Sequence, residues 1–126
     1  MSYLLDTNVV IHFLDASLPI KSINTLNQIV DDAPMVSVVT KMELLGFNFT
    51  SIDEQTIMET FINNCNVIDI NNDIVAKTIS IRKTKKIKLP DAIIAATAIV
   101  GNFTLITSDP DFKNISELKV IDPHSL

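Results

Sequence analysis

The sequence predicts an α/β protein in which a mostly parallel sheet of four to five strands lies between two layers of helices. Short apolar runs alternate with longer stretches whose apolar residues recur at helical spacing. The predicted strands are continuously apolar, which is typical of a parallel sheet that is covered on both faces. A chain of 126 residues suffices for one domain, so we expect residues 1–126 to form a single three-layer α/β/α sandwich.

In the first half of the chain the sequence predicts two strands and three helices. In chain order the pattern predicts a strand at 3–5, a helix from 7, a helix at 20–30, a strand at 35–39 and a helix at 40–45. Both strands are apolar runs, and the second is rich in β-branched residues. Pro34 separates this second strand from the helix before it.

The second half continues the alternation. In chain order it predicts a helix at 53–63, a strand at 67–70, a helix at 72–86, a helix that starts at 89 and ends near 101, a strand at 103–107 and a fifth strand at 120–121. Pro90 suits the first turn of its helix, and Gly101 suits the position just past the end. This helix is rich in alanine, so we expect it to approach the sheet closely. In the helix at 53–63, the side chains of Ile57, Phe61 and Ile62 are expected to point inward.

Composition argues against a passive nucleic-acid binder and leaves open an enzyme whose acidic residues hold cations. The formal net charge is −5, whereas proteins that simply hold nucleic acid are normally basic. Cys65 is the one cysteine, so no internal disulfide can form, and we expect it to be a small buried hydrophobe. No apolar run approaches the roughly 18 residues that span a membrane, and the N-terminus lacks the basic region of a signal peptide. We therefore expect a cytoplasmic protein with no membrane contact.

Four acidic residues fall at one edge of the expected sheet. Asp6 comes directly after the first strand, Glu43 lies in the helix after the second, and Asp109 lies just beyond the fourth. Asp91 begins the helix that leads into the fourth strand. In open α/β sheets ligands bind beyond the carboxyl ends of the strands, so chemistry is expected at these positions.

Each acid also has a purely structural interpretation. Glu43 could close a capping box with Thr40, because the two are three residues apart. Asp6 and Asp109 could each cap a following helix. Asp91 in a first turn would be favoured by the helix dipole.

The convergence of four carboxylates favours a metal site over four separate caps. Two carboxylates about 5 Å apart repel by about 1 kcal/mol in water, and by about 3 kcal/mol at an effective dielectric of 20. Divalent cations would relieve this repulsion, and Mg²⁺ or Mn²⁺ prefers such oxygen ligands. One or two such ions could support the hydrolysis of a phosphodiester by water.

Four segments around these acids resemble the PIN-domain nucleases, and most closely the VapC toxins of bacterial and archaeal toxin–antitoxin pairs. The matching segments are 3–8, 40–44, 89–98 and 105–112. The last two are the most specific, and with their order and spacing the four cover nearly the whole chain. The resemblance implies a PIN-like sandwich, Mg²⁺- or Mn²⁺-dependent endonucleolytic cleavage of RNA, neutralisation by a cognate antitoxin, and a homodimer.

Carried over position by position, the resemblance makes Asp6, Glu43 and Asp91 catalytic metal ligands. Asp109 matches the family's fourth acid, and Asp111 could take its place. Three further positions match polar residues that line or orient such sites: Thr7, Asn8 and Thr107.

A basic tract lies immediately before Asp91. Five of the ten basic residues fall in it: Arg82, Lys83, Lys85, Lys86 and Lys88. The tract could bind RNA and guide its phosphates to the metals. It could equally be a solvated helix end whose cations face the negative pole of the dipole.

The apolar segment 44–49 is likewise open to two interpretations. It could belong to the core, which is the more common outcome. It could also form an exposed groove for a partner helix, since the resemblance implies that the antitoxin docks around this region.

Three other functions are weighed against the nuclease. A receiver-like phosphoacceptor domain would need an Asp directly after strand three and a Lys after the last strand, but Asp69 falls within the predicted strand and no Lys follows Thr107. An aspartate-nucleophile phosphatase would need a second Asp where the chain has Asn8. A catalytically inactive PIN-like binding protein is the third alternative, and the presence of all four acids argues against it.

Overall fold

The computed structural model describes residues 2–126, in which strands and helices alternate. The strands are β1 (Tyr3–Leu5), β2 (Met35–Ser37), β3 (Asn66–Ile68), β4 (Thr104–Ile106) and β5 (Val120–Ile121). The helices are α1 (Thr7–Leu14), α2 (Ile20–Asp31), α3 (Val38–Leu45), α4 (Ile52–Asn63), α5 (Asn72–Thr84) and α6 (Leu89–Gly101). Short 3₁₀ turns lie at Pro110–Asn114 and Pro123–Ser125. Among these described residues, no helix is long and apolar enough to cross a membrane.

The five strands form one parallel sheet in the order β3-β2-β1-β4-β5. β1 lies at the centre, where Leu4 pairs with Met35 of β2 and with Leu105 of β4. The chain first builds outward from β1 to β3 and then crosses to β4 and β5 on the other side. The strand order therefore reverses between β1 and β4, and a crevice forms at the carboxyl ends of such neighbouring strands.

Two hydrophobic cores cover the two faces of the sheet, because successive strand residues point to opposite sides. Leu4 and Leu105 pack with residues of α5 and α6 on one face. Leu5 and Ile106 pack with residues of α1 to α4 on the other face. Cys65 is half-buried beside this second core, where burial raises the pKa of its thiol to about 11. The predicted three-layer α/β/α sandwich is thus confirmed.

Helix α6 lies close to the sheet because its inner face consists of small residues. Four of its alanines have no exposed surface: Ala92, Ala95, Ala96 and Ala98. The helix leads directly into β4, so it runs against the strand direction and its first turn lies at the carboxyl edge of the sheet. The close approach of α6 therefore carries Asp91 to the crevice.

The end of α6 differs from the prediction by one residue. Gly101 is the last helical residue, and Asn102 adopts the left-handed conformation just past the end, with φ 56°. Asparagine tolerates this conformation better than most side chains. Glycine is required at 101 for a different reason, because a Cβ there would collide with the ring of Phe103.

Strand β2 ends at Ser37, two residues earlier than predicted. The Ser37 hydroxyl accepts a hydrogen bond from the backbone N–H of Val39 at 3.1 Å, so Ser37 caps α3. Thr40 consequently lies inside the helix, so the alternative interpretation of Thr40 and Glu43 as a capping box does not hold. The Glu43 side chain is thereby free to contact another element.

Strand β3 covers Asn66–Ile68, so the prediction that Asp69 lies within it was wrong. Asn71 sets this boundary, because its Oδ1 accepts a hydrogen bond from the backbone N–H of Ile74 at 2.8 Å and starts α5. Asp69 directly follows β3, but β3 is an edge strand two positions from β1. Asp69 is therefore remote from the crevice between β1 and β4, which disfavours the receiver-like alternative.

Candidate metal centre

Asp6 and Thr107 lie side by side at the crevice, directly after β1 and β4. The Thr107 hydroxyl donates to Asp6 Oδ2 at 2.7 Å, and the backbone N–H of Thr7 donates to Asp6 Oδ1 at 2.8 Å. Asp6 is only 4% exposed. Both of its carboxylate oxygens are therefore held in fixed directions, and each keeps a second lone pair for another ligand.

Glu43 reaches the same region from α3. The Thr7 hydroxyl donates to Glu43 Oε1 at 2.7 Å and lies 3.0 Å from the hydroxyl of Thr40. Thr7 thus connects Asp6, through its backbone, with Glu43, through its side chain. The sequence indicated Thr40 only as a capping partner of Glu43, whereas the structure places its buried hydroxyl beside that of Thr7.

Asp91, Asp109 and Asp111 form an acidic cluster at this edge of the sheet. One carboxylate oxygen of each lies within 4.8 Å of those of the other two. Asp109 is held from two sides, because its backbone N–H donates to Thr107 Oγ1 at 3.1 Å and its Oδ1 accepts from the N–H of Asp111 at 2.9 Å. Asp109 and Asp111, the two candidates for the family's fourth acid, thus lie side by side in the structure.

The carboxylates of this region act on one another electrostatically. The pKa of Asp91 is raised to about 6, first by burial and then by the negative charges of Asp6, Asp109 and Glu43. Lys88 lowers it again in part. Burial also raises the pKa of Asp6, with contributions from Asp109 and Glu43, although hydrogen bonds from Thr107 and Thr7 oppose this shift. The negative charges of Asp6, Asp109 and Glu43 therefore act on Asp91, whereas the carboxylate oxygens that lie within 4.8 Å of one another are those of Asp91, Asp109 and Asp111.

This donor set fits a hard divalent cation. The ligating groups are carboxylate oxygens, which Mg²⁺ and Mn²⁺ prefer. Burial and, after it, the neighbouring negative charges both disfavour the charged form of Asp91 in the metal-free site and raise its pKa. A bound divalent cation would instead favour the charged form.

The structure places some of the other predicted site residues in contact with the acids and others away from them. Thr7 and Thr107 both contact the acids, as described above. Asn8 is exposed on α1 and takes no part in the hydrogen bonds that link Asp6, Thr7 and Glu43. The basic residues 82–88 lie at the end of α5 and in the connection to α6, and Lys88 is the residue of this tract that influences Asp91.

An apolar groove adjoins the acids on the α1–α3–α4 side. The groove has a volume of about 480 Å³ and shares Thr7 and Glu43 with the site. Its apolar lining is formed by Ile11, Leu14, Leu44, Phe47, Phe49, Ile57 and Met58. Ile57 is 53% exposed there, so the expectation that it points into the core was wrong. Of the segment 44–49, Leu44 is buried and Phe47 is exposed, so the segment belongs partly to the core and partly to the groove.

Comparison with models of known protein families identifies the family of this chain. A model of the PIN domain matches residues 3–118. The chain belongs to the PIN domain family. PIN domains are generally nucleases that use divalent metals, and the acidic crevice of this PIN domain is consistent with that chemistry. Among curated protein sequences, none matches the chain.

Solved structures similar to this PIN domain come from toxin–antitoxin complexes. A chain of the toxin–antitoxin complex from Klebsiella pneumoniae is 28% identical with a TM-score of 0.75, covering 97% of this chain and 98% of that one. VapBC-1 from nontypeable Haemophilus influenzae is 25% identical with a TM-score of 0.78, covering 98% of both chains. DNA-bound VapBC from Salmonella typhimurium is 23% identical with a TM-score of 0.82, again covering 98% of both, and shares the fold. The resemblance to VapC-type toxins is thereby confirmed.

Proposed function

We propose that this PIN domain is a metal-dependent endoribonuclease and the toxin of a toxin–antitoxin pair. The observation that carries the proposal is the cluster of Asp91, Asp109 and Asp111, whose carboxylate oxygens lie within 4.8 Å of one another. Asp6 and Glu43 are close enough to raise the pKa of Asp91. Such a concentration of negative charge is expected where divalent cations bind.

Asp6, Glu43, Asp91 and Asp109 would hold one or two Mg²⁺ or Mn²⁺ ions, with Asp111 as a further ligand. A bound divalent ion supplies charge stabilisation at phosphorus and makes water a stronger acid. Thr107 and Thr7 orient the oxygens of Asp6 through the hydrogen bonds at 2.7 and 2.8 Å. Thr7 does the same for Glu43 through its hydroxyl.

Asp109 is the residue best suited to take a proton from the attacking water. Its Oδ1 accepts from the N–H of Asp111, which leaves Oδ2 available for proton transfer. Attack of water on phosphorus in line with the leaving oxygen then breaks the P–O3′ bond. The products would carry a 5′-phosphate and a 3′-hydroxyl.

The apolar groove is the proposed docking site for a cognate antitoxin. Three carboxylates belong to its lining, those of Asp15, Glu43 and Glu54, around a largely apolar interior. An amphipathic helix with apolar residues on one face and basic residues at its margins would complement this surface. Because Glu43 belongs to both regions, a segment bound there would also obstruct the metal site.

We further propose that the protein is a homodimer in the cytoplasm, on the basis of its resemblance to VapC-type toxins. Exposed apolar side chains outside the groove, such as Met42 at 58% and Val75 at 46% exposure, are available for contact with a second copy. Sedimentation velocity across a concentration series tests this state, and a monomer at all concentrations would contradict it.

Incubation of the purified protein with labelled RNA tests the proposed activity. We expect cleavage with Mg²⁺ or Mn²⁺, none with a chelator, and none from the variants Asp6→Asn and Asp91→Asn. Asp69→Asn is the matched control, because it removes the same charge far from the crevice and should retain activity. Cleavage that persists in chelator would overturn the proposal, and an inactive wild type would favour the PIN-like binding protein.

A further inference from the structure

A basic cleft lies between the end of α5 and the start of α6. The cleft has a volume of about 510 Å³, and four cationic side chains line it, those of Arg82, Lys83, Lys85 and Lys86. The apolar part of its lining is formed by Ile79, Ile87 and Leu89. Because the surface is concave, several cations can approach one ligand from different sides.

The cations of this cleft are not neutralised by the protein. The structure describes salt bridges for Lys77 with Glu117 and for His124 with Asp122, and none for residues 82–88 within the described part of the chain. The tract holds half of the ten basic residues and none of the fifteen acidic ones. The basic cleft is therefore a concentrated positive region on an otherwise acidic molecule.

The first turn of α6 contributes one residue to the basic cleft and another to the acidic cluster. Leu89 lines the cleft, and Asp91 lies two residues further along the same helix. Lys88 immediately precedes this helix and lies three residues before Asp91. A polyanion in the cleft would consequently extend toward the proposed metal ligands.

We propose that the basic cleft binds the backbone phosphates of the RNA substrate next to the scissile bond. This inference rests on the proposed ribonuclease function and adds a binding site to it. An acidic protein repels RNA over most of its surface, and unpaired cations beside the catalytic residues supply the attraction that the chain otherwise lacks. Arg82, Lys83, Lys85 and Lys86 contact phosphates, and Lys88 bridges the cleft and the acidic cluster.

The alternative is that these cations only solvate the end of α5 and complement its dipole. Salt dependence separates the two interpretations, because each phosphate contact with a single strand contributes about −0.7 to the slope of log K against log salt. A solvated helix end contributes no such slope. If the cations only stabilise the helix, their removal would instead change the thermal stability of the protein.

Fluorescence anisotropy with a labelled single-stranded RNA tests the basic cleft. The measurement is made in chelator across a salt series, so that binding is observed without cleavage. The variant Lys85→Gln, Lys86→Gln removes two cleft cations, and the control Lys21→Gln, Lys119→Gln removes two exposed lysines elsewhere. We expect the cleft variant to weaken binding about tenfold at low salt and to flatten the slope by about 1.4. The control should match the wild type.

Two outcomes would overturn the inference. One is equal binding by the two double variants, and the other is the absence of measurable binding by the wild type at low salt. Failure of the ribonuclease proposal is distinguishable, because it would appear as intact salt-dependent RNA binding without cleavage when Mg²⁺ or Mn²⁺ is supplied. Failure of the cleft alone would appear as metal-dependent cleavage that both double variants retain.

Discussion

The hydroxyl of Thr107 donates to Asp6 Oδ2 at 2.7 Å and so joins the ends of β4 and β1. The same hydroxyl accepts a hydrogen bond from the backbone N–H of Asp109 at 3.1 Å. One buried threonine thereby orients the carboxylate of Asp6 and fixes the backbone of Asp109, which comes from the opposite end of the chain. The proposed ligand geometry depends on this support, as outer hydrogen bonds commonly determine the position of metal ligands.

Removal of the Thr107 hydroxyl should impair metal binding without unfolding the protein. Thr107→Val keeps the shape of the side chain but loses the bonds to Asp6 and Asp109, and we expect Mn²⁺ affinity and RNA cleavage to fall about 10- to 100-fold. Thr107→Ser retains the hydroxyl and should restore most of both. Equal metal affinity in the valine and serine variants would show that Thr107 does not position the acids.

The stability of the metal-free protein should decrease as pH rises through about 6. The pKa of Asp91 is about 6 in the folded protein and ordinarily 3.8, so the folded state binds the proton more tightly than the unfolded state. This contribution to stability is complete below the ordinary pKa and is lost as pH rises through the folded pKa. Thermal melts in chelator between pH 4 and 7 measure it, and the control Asp91→Asn should lose the share of this dependence that Asp91 contributes.

Metal binding should show the opposite pH dependence. Because ligands bind a cation in their deprotonated form, Mn²⁺ affinity should increase as pH rises through about 6, where Asp91 loses its proton. Calorimetric titrations in two buffers with different ionisation enthalpies would report the protons released. Affinity that is constant between pH 5 and 7 would be incompatible with Asp91 as a ligand.

Neutralisation of Asp91 should stabilise the metal-free protein while it abolishes activity. Asp91→Asn removes the repulsion from Asp6, Asp109 and Glu43, and we expect the free energy of unfolding in chelator to rise by about 1 kcal/mol. Asp69→Asn, an exposed change remote from the crevice, should leave both properties unaltered. Denaturant titrations of the two variants provide the comparison. A lower free energy of unfolding for Asp91→Asn would contradict the claim that repulsion at Asp91 destabilises the metal-free protein.

Asp109 and Asp111 should differ in what they contribute. Asp109 caps the following 3₁₀ turn, because its Oδ1 accepts from the N–H of Asp111 at 2.9 Å, so Asp109→Ala should lose about 1 kcal/mol of stability as well as metal affinity. Asp111→Ala should lower metal affinity with little effect on stability. Combined melts and Mn²⁺ titrations separate the two, and an Asp111→Ala variant with wild-type metal affinity would exclude Asp111 as a ligand.

A charge in the apolar groove should prevent partner binding without loss of cleavage. Ile57 lines the groove and is 53% exposed, so Ile57→Glu should fold normally and weaken neutralisation by the proposed antitoxin. Ile52→Glu is the matched control on the same helix, at 83% exposure and outside the groove lining. Cleavage assays with and without the proposed antitoxin measure both effects. Equal inhibition of the two variants would place the partner elsewhere.

The sequence predicted the fold and the positions of the acids from physical rules that act locally. Continuous apolar runs indicated a parallel sheet, and the carboxyl ends of parallel strands meet at one edge, which brought Asp6 and Asp109 into the same region. The alanine-rich face of α6 similarly indicated a close approach to the sheet. These expectations needed only periodicity and strand direction.

Other features depended on contacts between distant segments, which periodicity does not contain. Glu43 suited a capping box with Thr40, but Ser37 had already capped the helix and Glu43 bonds instead to Thr7, 36 residues earlier. Ile57 fitted an inward-facing helical position, although that face of α4 lines an open groove. An apolar stripe alone does not distinguish a core from a surface that awaits a partner.

Calorimetric titration of Mn²⁺ into the metal-free protein tests the central claim most directly, because it asks whether these acids bind a divalent cation. We predict saturable binding by the wild type and by Asp69→Asn, weakened at least about tenfold in Asp6→Asn and in Asp91→Asn. Binding by Asp91→Asn as tight as that of the wild type would contradict the claim.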